Sequence, residues 1–233
     1  MPETSLHVEL LNFTPEPSLT AATAGHICYA GVGISELKKK VSPDYAKKLI
    51  KSLIASGHES PLEHASFTFG IEGVSRALTH QLVRHRIASF SQQSQRYVKE
   101  GGFSFIVPPK IKADREAHKK FLEAIEFSRK AYEEMLKISP AEDARFLLPN
   151  ACETRIIMTM NTRSLYNFFD RRCCTRAQWE IRALANKMLE LCRNIAPDLF
   201  PYGAICERIG YCPERETCGK FPLKKDALKS GNA

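Results

Sequence analysis

The chain has 233 residues, 43% hydrophobic and 26% charged, with a formal net charge of +8 and eight cysteines. A chain of that make-up can bury roughly 70–75% of its unfolded surface; it holds no internal repeat or low-complexity tract, which excludes solenoid and disordered classes. No apolar run reaches membrane-spanning length, and the first residues lack the basic start and apolar stretch of a signal peptide, so a cytoplasmic location, no membrane partner and mostly reduced thiols are expected. The positive charge favours anionic partners such as nucleotides, nucleic acid or an acidic surface. One catalytic domain over residues 1–219, with a flexible basic tail over 220–233, is the expected organisation.

Residues 5–12, SLHVELLN, alternate loosely and read as a strand. Residues 18–29 are Ala-rich and predict a helix capped by Ser18 or Thr20. Ser42-Pro43 opens the next helix, with Tyr45, Leu49, Leu53 and Ile54 as its buried stripe and Gly57 as its stop. Residues 58–64, HESPLEH, hold two His and two Glu. They read as a capped turn, or as a metal site still wanting a third convincing ligand. The alternation of Phe67, Phe69 and Ile71 then predicts a strand with one buried face.

Residues 74–87, VSRALTHQLVRHRI, predict a helix whose apolar face is Val74, Leu78, Leu82 and Ile87, with Gln81, Arg84 and His85 together on a neighbouring face. The polar run from Ser89 has no period and reads as a loop. Between Gln81 and Tyr97 the chain packs Arg84, His85, Arg86 and Arg96 with Ser89, Ser91, Ser94 and four glutamines, and no acid. Such cations repel one another, so an anion is their natural partner; guanidinium forks suit phosphate or carboxylate, and Ser and Gln add neutral donors. Taken alone, the stretch also reads as a solvated Arg-rich helix end.

Residues 103–107 predict a short strand stopped by Pro108-Pro109. Residues 114–136 predict a long amphipathic helix with Phe121, Leu122, Ile125, Tyr132, Met135 and Leu136 facing in. A short helix over 141–148 presents Arg145. Residues 151–162, rich in β-formers, read as a strand leading to a helix that Ser164 caps. Asn161 and Arg163 stand at that helix start, where donors and the helix N-terminus together suit a phosphate, though capping and surface charge explain them equally. Cys206, Cys212 and Cys218 are separated by five residues each. That is wider than common zinc spacings, leaving free thiols or a metal site joined by Cys192 as the two readings.

The order Arg84-His85-Arg86, seven residues, Ser94, then Arg96 and Tyr97 resembles the signature of the flavin-dependent thymidylate synthases. HESPLEH resembles the stretch that precedes this motif in the family, and NTRSLYNFFDRR followed by AQWEIRALA resembles its second block. The resemblance covers residues 58–73, 81–97 and 141–185 in order. It implies an α+β fold with a mixed, mainly antiparallel sheet packed with helices. It also implies reductive methylation of dUMP to dTMP, with methylenetetrahydrofolate as one-carbon donor and NADPH as reductant through FAD, in a homotetramer with shared active sites.

By the same resemblance, dUMP is held by Gln81, Leu82, Val83, Arg84, Gln92, Gln93, Ser94, Gln95, Arg96, Arg145 and Arg172. Arg172 is the catalytic residue, favouring ionisation of the pyrimidine at N3. FAD is held by His58, Ser60, Arg84, His85, Arg86, Gln92, Asn161, Thr162, Arg163 and Asn167. Neither Cys173 nor Cys174 sits in a catalytic context, and a flavin that delivers hydride removes the need for a protein nucleophile. Two positions depart from the family pattern: Ser91 where Asn is common, and Gln92 where Glu is common. Two other readings stay open: a basic RNA-binding protein, although no RNA-binding module is visible, and a flavoprotein that reduces a different substrate.

Overall fold

The computed structural model describes residues 3–99 and 101–229. In chain order they form β1 (His7–Phe13), α1 (Pro17–Ile27), α2 (Ile34–Lys40), α3 (Pro43–Ala55), a 3-10 turn at Ser60–His64, β2 (Ser66–Ser75), α4 (Arg76–Leu82) and β3 (Ser89–Gln92). Then come α5 (Pro109–Ala113), α6 (Arg115–Met135), α7 (Ala141–Ala144), a 3-10 turn at Arg145–Leu147, β4 (Glu153–Asn161), α8 (Thr162–Arg172), α9 (Trp179–Ile195), α10 (Ile205–Ile209) and α11 (Lys224–Lys229). The strands make one antiparallel sheet in the order β1-β2-β4-β3, so the α+β class is as the sequence implies.

The chain divides into two compact units: Met1–His7, Gly70–Arg84 and Phe90–Ile157 form the first; Val8–Phe69, His85–Ser89 and Met158–Ala233 form the second. In the first unit Phe103, Phe105, Val107, Ile125 and Cys152 bury one another. The expected strand at 103–107 is reduced to isolated bridges, Phe105 pairing with Glu3 and with Cys152. Its residues serve the core instead, with the Phe105 ring 6.2 Å from that of Phe121. A Cβ on Gly73 would lie 1.9 Å from the Ser5 carbonyl oxygen, and φ is +68° there, so only glycine fits. In the second unit Phe200 gathers Phe67, Tyr166 and Phe169 edge-on, with ring centroids 5.3, 6.0 and 6.0 Å away. A Thr68–Thr159 hydroxyl pair at 2.9 Å joins neighbouring strands.

Local signals explain most helix starts. Ser42 accepts from the Tyr45 N–H at the helix start that Ser42-Pro43 predicts, and Asp114, expected as the first helical residue, instead caps α6 by accepting from the Ala117 N–H. Two details differ. Helix α1 starts at Pro17 behind Glu16 in the left-handed region, with neither Ser18 nor Thr20 as cap. Helix α3 buries Ala46, Ile50 and Leu53 rather than Tyr45, Leu49 and Ile54, a rotation about its axis set by where the neighbouring surface lies. Helix α6 buries only Ile125 and Tyr132, leaving Leu122 and Phe127 exposed. Within residues 220–233, where the sequence reads as a basic tail, α11 forms and buries Ala227; residues 230–233 lie outside the described residues.

Candidate functional site

In the first unit, α4 is capped by Ser75, whose oxygen accepts from the Leu78 N–H at 3.0 Å. Leu78 and Leu82 go into the core. The helix stops at Leu82 and does not run on to Ile87 as the periodicity suggests. Ile87 is 77% exposed, so no apolar burial favours extending a helix through three successive cationic positions. Val83 and Arg84 are exposed, and Gln81 is half-buried.

The expected loop from Ser89 begins as strand β3. Gln92 anchors it: its amide donates to Thr79 Oγ1 and Thr154 Oγ1, both at 3.1 Å. The Gln93 N–H donates to the Arg155 carbonyl at 2.9 Å. Ser94 Oγ accepts from the Arg96 N–H at 3.2 Å. Gln95 turns inward and donates to Cys152 Sγ at 3.8 Å. Leu82 and Gln95 therefore offer a ligand backbone rather than side chains.

The first unit brings two predicted arginines together around an acid that the sequence reading passed over. Arg96 grips Glu142 Oε2 with Nε at 3.1 Å and Nη2 at 2.8 Å. Arg145 Nε donates to the Glu142 carbonyl at 3.0 Å. The Arg96–Glu142 pair is half-exposed, so a single residue draws one guanidinium to its carboxylate and the other to its carbonyl. The signal for Glu142 was its place three residues before Arg145 on a helical turn.

In the second unit, Asn161 caps α8, its Oδ1 accepting from the Ser164 N–H at 2.8 Å. The predicted cap, Ser164, is thus the capped residue. Thr162 is buried and donates to the Ala65 carbonyl at 3.1 Å, so its side chain is committed to the scaffold. Arg163, on the first turn, holds Glu63 Oε1 at 2.5 Å and Glu59 Oε2 at 3.7 Å. These two acids belong to HESPLEH and hold the start of α8. His58 and Ser60 beside them are exposed, as are Arg86 and Asn167.

The far end of α8 organises His85. Arg172 Nε donates to His85 Nε2 at 3.1 Å, and the ring stands edge-on to Phe168 at 5.0 Å. Burial, then the Arg172 charge, push the imidazole down to about 4, against a hydrogen bond to Asn167 that pulls it up. His85 is therefore a neutral acceptor at neutral pH, with Asn167 and Arg172 as its partners. Burial pushes the nearby Cys173 thiol up to about 12, so it stays protonated. Asp170 pairs with Arg208, which also meets Glu59 at 3.3 Å. The arrangement thus presents cations and neutral donors, with no exposed acid–base dyad among the predicted site residues.

The family model described as thymidylate synthase complementing protein matches residues 9–198. The flavin-dependent thymidylate synthase of Clostridium tetani is 52% identical over 91% of this chain and 93% of its own length. That of Nitratidesulfovibrio vulgaris is 48% identical over 97% and 99%, and that of Pyrococcus furiosus 43% identical over 96% of each. A crystal structure of the UMP/dUMP methylase PolB from Streptomyces cacaoi bound with 5-Br dUMP shares the fold, with a TM-score of 0.77 at 24% identity over 85% of this chain and 94% of that one. Carrying the Arg-His-Arg signature on the turn after α4, and matched along most of its length, the chain belongs to the family of flavin-dependent thymidylate synthases.

Proposed function

We infer that the protein is a flavin-dependent thymidylate synthase, converting dUMP to dTMP with methylenetetrahydrofolate as carbon donor and NADPH as reductant through FAD. The observation that supports the site assignment most directly is that Arg96 and Arg145 meet at one residue, Arg96 on the Glu142 carboxylate and Arg145 on its backbone carbonyl, where the nucleotide phosphate is proposed to bind. Gln81, Arg84 and Ser94, with backbone of Leu82, Val83 and residues 92–95, complete the proposed dUMP contacts.

The donor set in the second unit fits FAD. Arg163 on the first turn of α8 already takes an anion, the Glu63 carboxylate, at a helix N-terminus, where a flavin nucleotide phosphate would be favoured. His58, Ser60, Arg86, Asn161 and Asn167 offer polar groups to the cofactor, with neutral His85 as donor and acceptor; Arg84 and Gln92 are proposed to touch both ligands. FAD, when bound, supplies the two electrons that turn a transferred methylene into a methyl group.

The chain's own part is positioning and electrostatics. Arg172, fixed by its bond to His85, is proposed to lie on the pyrimidine and stabilise negative charge at N3, which raises electron density at C5. Working in a homotetramer, each active site would draw on several subunits. No nucleic-acid partner is proposed. The decisive assay is anaerobic: dUMP, methylenetetrahydrofolate and NADPH with the purified yellow protein, analysed for dTMP. Formation of dTMP only when all three are present is expected; NADPH oxidation with no dTMP would sink the assignment.

A further inference from the structure

The segment holding Cys206, Cys212 and Cys218 stands out in the sequence for its thiols; its contribution to α8 is a cation, Arg208, which the sequence reading passed over. Arg208 lies on α10 and meets two carboxylates from two other segments of the second unit. Its Nη2 donates to Asp170 Oδ2 on α8, and its Nη1 donates to Glu59 Oε1 in HESPLEH at 3.3 Å. The Asp170 side chain is only 10% exposed, and burial raises its carboxyl above the usual range against the pull of Arg208. A carboxylate so placed needs its guanidinium partner.

Glu59 is shared between two arginines, and unequally. One oxygen takes the hydrogen bond from Arg208; the other, Oε2, makes only a longer ion contact with Arg163 Nε at 3.7 Å. Arg163 in turn holds Glu63 Oε1 through Nη1 at 2.5 Å. Glu63, Arg163, Glu59, Arg208 and Asp170 therefore alternate in sign as one chain of charges, three acids to two arginines. Arg163 and Asp170 are two helical turns apart and share a face of α8, so the chain spans that face from end to end. The Arg163–Glu63 pair is about half-exposed on both sides, which makes it weak and readily exchanged for another anion. A second carboxylate closing on Arg163 would remove that freedom, and Arg208 is the group that holds the second carboxylate elsewhere.

We propose that Arg208 is a positioning residue for the cofactor site: by holding Glu59 on α10 and α8 it keeps the Arg163 guanidinium open to a flavin nucleotide phosphate. The proposal rests on the assignment of Arg163 to FAD. Without Arg208, Glu59 loses its shorter bond and turns wholly to Arg163. Two acids then hold one guanidinium, and an incoming phosphate must displace both against their repulsion. Arg208 itself touches no ligand; it acts through Glu59. Its bond to Asp170 fixes the guanidinium on α8, so the planar fork reaches Glu59 from a set position.

The test titrates the full chain, stripped of flavin, with FAD and follows the quenching of flavin fluorescence, a readout independent of dTMP formation. Arg208→Met should weaken FAD binding by about tenfold. Glu59→Gln in the same chain should restore FAD affinity to within about threefold of the parent, because the competing charge is gone. Arg208→Met with Asp170→Asn removes the buried acid that would otherwise stand unpaired; it should keep the fold by circular dichroism and still bind FAD weakly. A role confined to neutralising Asp170 gives the reverse pattern, rescue by Asp170→Asn and none by Glu59→Gln, and that pattern overturns the proposal. Parent-like FAD affinity in Arg208→Met, alone or with Asp170→Asn, overturns it as well. Arg163→Ala tells the two levels apart. Unchanged FAD affinity there brings down the assignment of Arg163 and this proposal with it; weakened FAD binding there, beside full affinity in Arg208→Met, brings down this proposal alone.

Discussion

Arg172 Nε donates to His85 Nε2 at 3.1 Å, so the proposed pyrimidine-activating cation and one proposed flavin contact hold each other in place. Arg172→Ala should leave FAD bound at the parent ratio and lower turnover by about two to three orders of magnitude, the range seen when one preorganised charge-stabilising donor is removed. Flavin absorbance per chain and single-turnover dTMP formation measure the two halves. A rate within about threefold of the parent would refute the role.

The same contact sets a pH response. His85 is pushed down to about 4 from an ordinary 6.5, chiefly by burial and then by Arg172. Above 6.5 the ring is neutral in both the folded and unfolded chain, and pH has no effect through it. As pH falls from 6.5 to about 4 the unfolded chain binds the proton first, so stability declines across that window and levels off below it. Thermal melts at stepped pH should show the decline, and His85→Gln should flatten it. An equal slope in parent and variant would place the titration elsewhere.

Glu142 occupies the Arg96 fork, and both side chains are about half-exposed, so the pair adds little to stability. An incoming phosphate must displace that carboxylate. Glu142→Gln should therefore tighten dUMP binding several-fold with an unchanged melting temperature. Arg96→Ala and Arg145→Ala should weaken it by about tenfold or more, the loss of one to two kcal/mol of charge-assisted bonding. Calorimetric titration with dUMP distinguishes these signs; weaker binding in Glu142→Gln would show that the acid positions Arg96 instead.

Gln92 is where the chain departs from the family's usual Glu, and the reason is local. Its amide donates to Thr79 Oγ1 and Thr154 Oγ1, while the Thr79 hydroxyl already donates to the Arg76 carbonyl at 2.9 Å. A carboxylate would meet the Thr79 oxygen acceptor to acceptor. Gln92→Glu should thus destabilise the protein by about 1–3 kcal/mol, read from urea melts. A neutral or stabilising change would mean that Thr79 redirects its proton.

Periodicity, caps and motif order made much of this protein legible from its residues alone. Phe67, Phe69 and Ile71 alternate into the core along β2, Ser42-Pro43 opens α3, and Arg84-His85-Arg86 with Ser94 and Arg96 names the family; each signal lies within a few neighbouring residues. Contacts between distant residues decided the rest. Only folding shows that Glu142 fills the Arg96 fork across 46 positions and that Arg172 quiets His85 across 87. The reason is that side-chain charge and hydrogen bonding act through space, and spacing along a chain carries no record of which turn will meet which loop.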